Sequence, residues 1–208
     1  MHHWIQLFIE QMRHTTPLEW LAVMLGVTEV LLARKNSVWL YPAGIGSSAI
    51  SITLLLEVGL YAESALSMYY VIMSIYGWFL WVRREGEPPV QIAWATRNEW
   101  VITLLIAFGG WGVIYSLLHQ FTSSTVPLWD AWVSSTAWAG TWLLARRRIE
   151  NWVVLNVSNL FAVPLLFHKN LVLFAALTTF LFIVAVFAFF DWQKIYRRQQ
   201  NPASATSV

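Results

Sequence analysis

With 58% hydrophobic residues, 12% charged residues and a mean hydropathy of +0.55 over 208 positions, the chain is too apolar for a water-soluble domain, which carries about a quarter charged residues. Its apolar runs are long and unbroken, so helices that satisfy their own backbone in lipid are expected rather than the short alternating strands of a barrel. The pI near 9.0 comes from Lys and Arg at the ends of apolar runs, so no nucleic-acid partner is expected. The lack of cysteine excludes disulfides, iron–sulfur clusters and thiolate zinc sites.

Trp4, Ile5, Phe8, Ile9 and Met12 recur at helical spacing in residues 1–16. They predict a short helix on the membrane surface, with a disordered tail as the alternative. No charged n-region precedes an apolar run and a cleavage site, so no cleaved signal peptide is expected. Seven apolar stretches follow at 17–34, 37–57, 62–82, 98–118, 127–146, 150–168 and 171–191, each near the ~20 residues that cross a bilayer. Gly86, Pro88 and Pro89 mark a loop from Arg83 to Arg97. From Lys194 the chain is polar, with disorder expected past Asn201.

Arg34, Lys35, Arg83, Arg84, Arg97, Arg146, Arg147, Arg148, Lys194, Arg197 and Arg198 fall on one side of a seven-span chain, and Arg13 and Lys169 on the other. Eleven against two places the first side in the cytoplasm and the N-terminus outside. An even number of spans would scramble this partition.

Leu31-Leu32-Ala33-Arg34 recurs as Leu143-Leu144-Ala145-Arg146. Trp39 and Trp152 open the helices that follow, and Trp81 and Trp192 close the third helices, at offsets of 111 to 113 residues. These landmarks predict two parallel three-helix repeats, 17–83 and 127–193. A loop and linker helix (84–126) lies between them, flanked by the surface segment 1–16 and a cytoplasmic tail 194–208. Three crossings would invert a directly fused copy, and the extra helix restores its orientation. Parallel repeats are one of the known transporter plans, with the solute site between the halves near the midplane.

Polar residues at membrane depth are the candidate functional groups. On the sixth helix Trp152, Asn156 and Asn159 share one face. An amide and a flat indole suit a heteroaromatic ring bearing an amide or sugar hydroxyls, while helix–helix hydrogen bonding is the competing reading. The third helix carries Ser67, Tyr70, Ser74 and Trp78, and the fifth carries Ser134, Trp138, Thr141 and Trp142. Taken singly, each suits packing as well as solute contact. Trp4, Trp20, Trp100, Trp129 and Trp192 read as interfacial anchors. Pro42, Gly44 and Pro164 mark kinks. Glu29 is expected to pair with Arg34 or Lys35, with proton coupling as the alternative. Asp130 and Glu150 lie near helix ends, where charge costs little. The five His, at 2, 3, 14, 119 and 168, lie near interfaces or termini. None accompanies a Ser or a carboxylate pair within the membrane, and there is no Walker A motif, so an enzyme is not expected.

Ile75-Tyr76-Gly77-Trp78 with Trp81, Pro127-Leu128-Trp129-Asp130, and Leu143-Leu144-Ala145-Arg146 through Glu150-Asn151-Trp152 together resemble the PnuC family of bacterial nicotinamide riboside transporters. The resemblance covers about 17–198. The family's Trp-x-x-Trp-x-x-x-Asn/Asp motif matches here at Trp152 and Asn159, with Leu155 in place of the second Trp. Where relatives carry Gln or Asn on the second and third helices, this chain has Ser47, Ser67 and Ser74, which shortens reach and removes an amide donor–acceptor pair that discriminates between solutes.

The resemblance implies a multi-pass protein of the bacterial inner membrane with a fold similar to SWEET sugar transporters. It also implies facilitated diffusion by alternating access, trapping of the solute by a cytoplasmic kinase, no cofactor or metal, and a homotrimer in the lipid bilayer. Trp152 and Asn159 would hold the ring, and Trp39, Trp142, Tyr70, Tyr76 and Trp78 would line or gate the path. Nicotinamide riboside is the first expected solute. Thiamine, riboflavin and deoxynucleosides are alternatives within the family, and a non-transporting membrane scaffold is an alternative of another class.

Overall fold

The computed structural model describes residues 2–57, 60–82, 91–122 and 124–201. The helices are α1 (His2–His14), α2 (Pro17–Arg34), α3 (Leu40–Glu57), α4 (Tyr61–Trp81), α5 (Arg97–Leu104), α6 (Gly110–Phe121), α7 (Pro127–Ala145), α8 (Asn151–His168) and α9 (Val172–Gln200). A π-turn at Leu105–Gly109 joins α5 to α6, so the expected stretch 98–118 is one rod, Arg97–Phe121. Among the described residues the sole β feature is an isolated bridge between Ala93 and Arg148. Arg83, Arg84 and most of the expected loop lie outside the described residues, as does the tail past Asn201.

Local chemistry sets the helix ends. Thr16 and Thr96 cap α2 and α5, each in a reciprocal box with Glu19 or Glu99. Pro42, expected to kink its helix, lies in the first turn of α3, where a missing N–H costs nothing. α9 continues through the polar segment from Lys194 to Gln200, with Arg197 and Arg198 complementing its C-terminal dipole.

By length and composition α3, the α5–α6 rod, α8 and α9 can each cross a membrane, and α1 with α2, bent by 106°, forms a fifth candidate. The central helix α7 falls short because it carries Trp129, Trp132, Trp138 and Trp142 together with Ser134, Ser135, Thr136 and Thr141. It packs against α4, α5, α6 and α8. A helix faced by protein rather than lipid does not have to be uniformly apolar.

α2 packs on α3 and α3 on α4, while α7 packs on α8 and α8 on α9; α4 meets α7 and α2 meets α9. The two groups correspond residue by residue. α3 and α8 have equal length and begin 111 residues apart, and so do the starts of α4 and α9. α2 ends with Asn36 at φ 54°, donating to the Ala33 carbonyl, and Ser37 donating to Leu32. α7 ends with Arg147 at φ 55°, donating to Leu144, and Arg148 donating to Leu143. Both are Schellman closures. Arg is a costly residue at positive φ; here its guanidinium lies 3.9 Å from the Trp81 ring centroid, a cation–π contact that offsets the strain.

This register corrects two of the sequence landmarks. The Leu-Leu-Ala-Arg strings are out of step with it by one residue and the Trp39/Trp152 match by two. The counterpart of Trp152 is Tyr41. Tyr41 meets Trp81 edge-on at 5.2 Å and 89°, and Trp152 meets Trp192 edge-on at 5.5 Å and 88°. Trp81 and Trp192 approach one another at 6.2 Å, so four rings span both groups. Trp192, expected as an interfacial anchor, is instead fully buried. Its indole donates to the Ala33 carbonyl at 3.0 Å, and the Trp81 indole donates to the Ala145 carbonyl at 3.1 Å. Each indole thus reaches a helix-end carbonyl of the opposite group.

Close approach of helices is handled by glycine on opposite sides in the two groups. A Cβ on Gly44 would lie 2.6 Å from Cδ of Glu29, and one on Gly140 would lie 2.6 Å from Cγ of Leu155 and 3.1 Å from its backbone nitrogen. Glu29 and Gly140 are counterparts, as are Gly44 and Leu155. The large residue has changed helices while the tight crossing is kept.

Two variants test this packing. Trp192→Phe removes the donor to Ala33 and should cost about 1–2 kcal/mol, seen as a lower melting temperature of the purified protein; an unchanged melting temperature would show that the bond contributes nothing. Gly140→Ala should destabilise by about 1–3 kcal/mol, and Leu155→Ala should recover part of that loss in the double variant. Strict additivity of the two changes would contradict the contact.

Candidate functional site

Between the two groups lies a cavity of about 360 Å³, within the range of small-molecule sites. α2 contributes Glu29, α3 Ser47, Ser48 and Ser51, and α4 Ser67, Tyr70 and Ser74. From the other group come Thr141 on α7, Trp152, Leu155 and Asn159 on α8, and Leu181 and Ala185 on α9. Five counterpart pairs line it from both sides: Val30 with Thr141, Ala33 with Leu144, Ser48 with Asn159, Tyr70 with Leu181, and Ser74 with Ala185. The cavity is therefore lined by corresponding positions of both groups.

Its wall offers hydrogen-bonding groups that the protein leaves unused. The buried Trp152 indole N–H has no acceptor. The hydroxyls of Ser48, Tyr70 and Ser74 line the space and make no hydrogen bond among the described residues. Asn159 donates to the Asn156 amide oxygen at 3.3 Å, which leaves its own carbonyl oxygen to accept. Ser47 and Ser51 are already committed, donating to the carbonyls of Ala22 and Ser47 at 2.9 Å. An unpartnered polar group in a low-dielectric site is costly until a ligand pairs it.

Of the residues singled out by sequence, the structure brings Glu29, Ser47, Ser67, Tyr70, Ser74, Thr141, Trp152, Leu155 and Asn159 into this wall. Asn156 stands one turn behind, holding Asn159. Trp142 and Tyr76 stack on each other at 6.1 Å and 9° near the basic helix ends. There Arg146 donates to the Tyr76 hydroxyl at 3.3 Å and covers the Trp142 ring. Trp78 is 39% exposed and Trp39 69% exposed, both away from the cavity. Ser48, Ser51, Leu181 and Ala185 were not foreseen; Ser48 was readable as the counterpart of Asn159 once the 111-residue register was known.

The pairing expected for Glu29 does not form. Arg34 instead binds Asp191 at 2.7 Å, because positions 29 and 34 lie on nearly opposite helix faces. Lys35 is exposed beyond the helix end. The remaining charges cluster at the two ends. Glu99 bridges Arg146 at 3.2 Å and Arg148 at 2.8 Å, and Glu150 accepts from the Ala95 backbone at 2.8 Å. At the opposite end Lys169 pairs with Asp130 at 2.6 Å, and Gln11 of α1 caps the α8–α9 turn through Asn170 and Leu173.

A sequence model described as nicotinamide mononucleotide transporter matches residues 16–194. The nicotinamide riboside transporters PnuC of Escherichia coli strain K12 and Shigella flexneri are each 19% identical over 172 residues, covering 70% of this chain and 72% of theirs. A crystal structure of the vitamin B3 transporter PnuC aligns with a TM-score of 0.68 at 20% identity, covering 94% of this chain and 88% of that one. That likeness shows a shared fold. The chain belongs to the nicotinamide mononucleotide transporter family, a family of membrane transporters rather than enzymes.

Proposed function

We propose that the central cavity carries nicotinamide riboside across the bilayer by alternating access, down its own gradient. The observation that carries this reading is the placement of unpaired donors and acceptors between corresponding positions of the two helix groups, which can then both move against one solute. The Asn159 carbonyl can accept from a carboxamide, and the Trp152 N–H and the Ser48, Tyr70 and Ser74 hydroxyls can pair with ribose or amide oxygens. Relatives named for nicotinamide riboside support the choice of solute. Leu155, where the family motif has Trp, keeps thiamine, riboflavin and deoxynucleosides as second candidates. A scaffold without transport would have no use for a solute-sized cavity, and this chain has one.

In this reading seven segments cross the membrane: α2, α3, α4, the α5–α6 rod, α7, α8 and α9. They form two parallel triplets, 17–83 and 127–193, about a linker helix, with α1 on the outer surface. The arginine-rich ends of α2, α7 and α9 face the cytoplasm and the Lys169–Asp130 end faces out. The four-ring stack then closes the cytoplasmic end of the path. A homotrimer would use the outward face of the π-turn and α6, where a Cβ on Gly109 or Gly112 would meet nothing within 4 Å.

Binding tests the assignment. A ligand that binds the folded state alone raises its melting temperature, so nicotinamide riboside should stabilise the purified protein more than thiamine, riboflavin or nucleosides. Asn159→Ala should reduce the shift at least tenfold in ligand concentration while leaving the ligand-free melting temperature nearly unchanged. No shift with any of these solutes, or full binding by Asn159→Ala, would contradict the assignment.

A further inference from the structure

Glu29 is the charged residue in the cavity wall, and no basic side chain pairs with it among the described residues. The other groups facing the space are serines, threonine, tyrosine, asparagine, tryptophan and aliphatics from α2, α3, α4, α7, α8 and α9. None of them is Lys, Arg or His. Arg34, the nearest basic residue on the same helix, is engaged by Asp191, and Glu29 makes no ion pair or hydrogen bond through its carboxyl among the described residues. A carboxylate at membrane depth without a partner is expensive and marks a functional position.

Neither packing nor the repeat demands an acid there. The counterpart of Glu29 is Gly140, and the same crossing is filled in the other group by Leu155 against that glycine. A leucine at 29 over Gly44 would reproduce that arrangement. The chain instead places a carboxyl there, across the cavity from the Trp152 and Asn159 side, and Gly44 leaves it room. Substituting that glycine would drive a methyl group into the carboxyl.

We propose that Glu29 selects solutes whose flat ring carries a fixed positive charge. The inference rests on the transport reading above and narrows it. Nicotinamide riboside has a quaternary pyridinium and thiamine a quaternary thiazolium, whereas riboflavin and deoxynucleosides have neutral rings. A delocalised cation needs no directional donor to Glu29; it needs an anion within a few ångströms in a site shielded from water, where the attraction is strong. The asymmetry between Glu29 and Gly140 then fixes which way the ring lies, charge toward α2 and carboxamide toward α8. Glu29 is a specificity residue here, and the alternative neutralising partner, a proton, is an outcome of the test.

The test compares nicotinamide riboside with its uncharged 1,4-dihydro form, which has nearly the same size and the same ribose and carboxamide. Dissociation constants for both are measured by calorimetry on the purified full-length protein, wild type and Glu29→Gln, with Glu29→Asp as a variant that retains the charge. The wild type should prefer the cation by about tenfold or more, Glu29→Gln should erase that preference while holding the dihydro form within about threefold, and Glu29→Asp should keep part of it. Equal binding of both forms by the wild type, an undiminished preference in Glu29→Gln as expected for a protonated acid, or equal loss of both forms in Glu29→Gln would overturn the proposal. A wild type that binds neither form overturns the transport reading itself, and this one with it.

Discussion

Two tryptophan indoles, Trp81 and Trp192, tie each half of this protein to a helix end of the other. A carbonyl at a helix C-terminus lacks its intrahelical donor and has room for a further one. Ala145 and Ala33 sit at such ends, and the indole that meets each one comes from the opposite group of helices. The edge-on contacts with Tyr41 and Trp152 complete a buried ring system that fixes the halves at one end. Above it the helices leave room for the cavity. Trp152 belongs to both: its ring packs on Trp192 and it lines the cavity, where its N–H finds no acceptor in the protein. A solute that pairs with that N–H would therefore act one ring away from the contacts joining the halves, since Trp192 itself meets Trp81 and the Ala33 carbonyl.

Polarity is distributed by the same logic. Most charges lie at the two ends in satisfied clusters, such as Glu99 with Arg146 and Arg148, and Lys169 with Asp130. Serine and threonine hydroxyls on the helices mostly return to the carbonyl of the preceding turn, as at Ser51, Thr141 and Thr179. Around the cavity, Glu29, Ser48, Tyr70, Ser74, the Trp152 indole and the Asn159 carbonyl have no such partner among the described residues. Their position between the halves is what turns a list of polar membrane residues into a candidate path.

Hydropathy alone located the helices well. The expected stretches 17–34 and 150–168 agree with α2 and α8 within one residue at each end, because length and apolarity are direct demands of lipid. The internal correspondence was visible but misregistered. A Leu-Leu-Ala-Arg string in an apolar chain is a weak ruler, and Trp39 drew the match away from Tyr41, which has the same packing role as Trp152 with a different ring. The pairing of Glu29 was misjudged by sequence proximity; five residues along a helix lead to the far face, and Asp191 reaches Arg34 across 157 positions. The π-turn at Leu105–Gly109 leaves no compositional trace beyond its glycines. Half of the expected site residues lie in the cavity wall, and those that do not, such as Trp39 and Trp78, were drawn in by residue type without knowledge of which helix face turns inward.

The central claim is that this cavity passes a nicotinamide-type solute without an energy source. Purified protein reconstituted in liposomes, given labelled nicotinamide riboside outside and neither nucleotide triphosphate nor an ion gradient, tests it directly. The account predicts saturable filling that stops when the internal concentration equals the external one. Uptake no faster than in protein-free liposomes would contradict it.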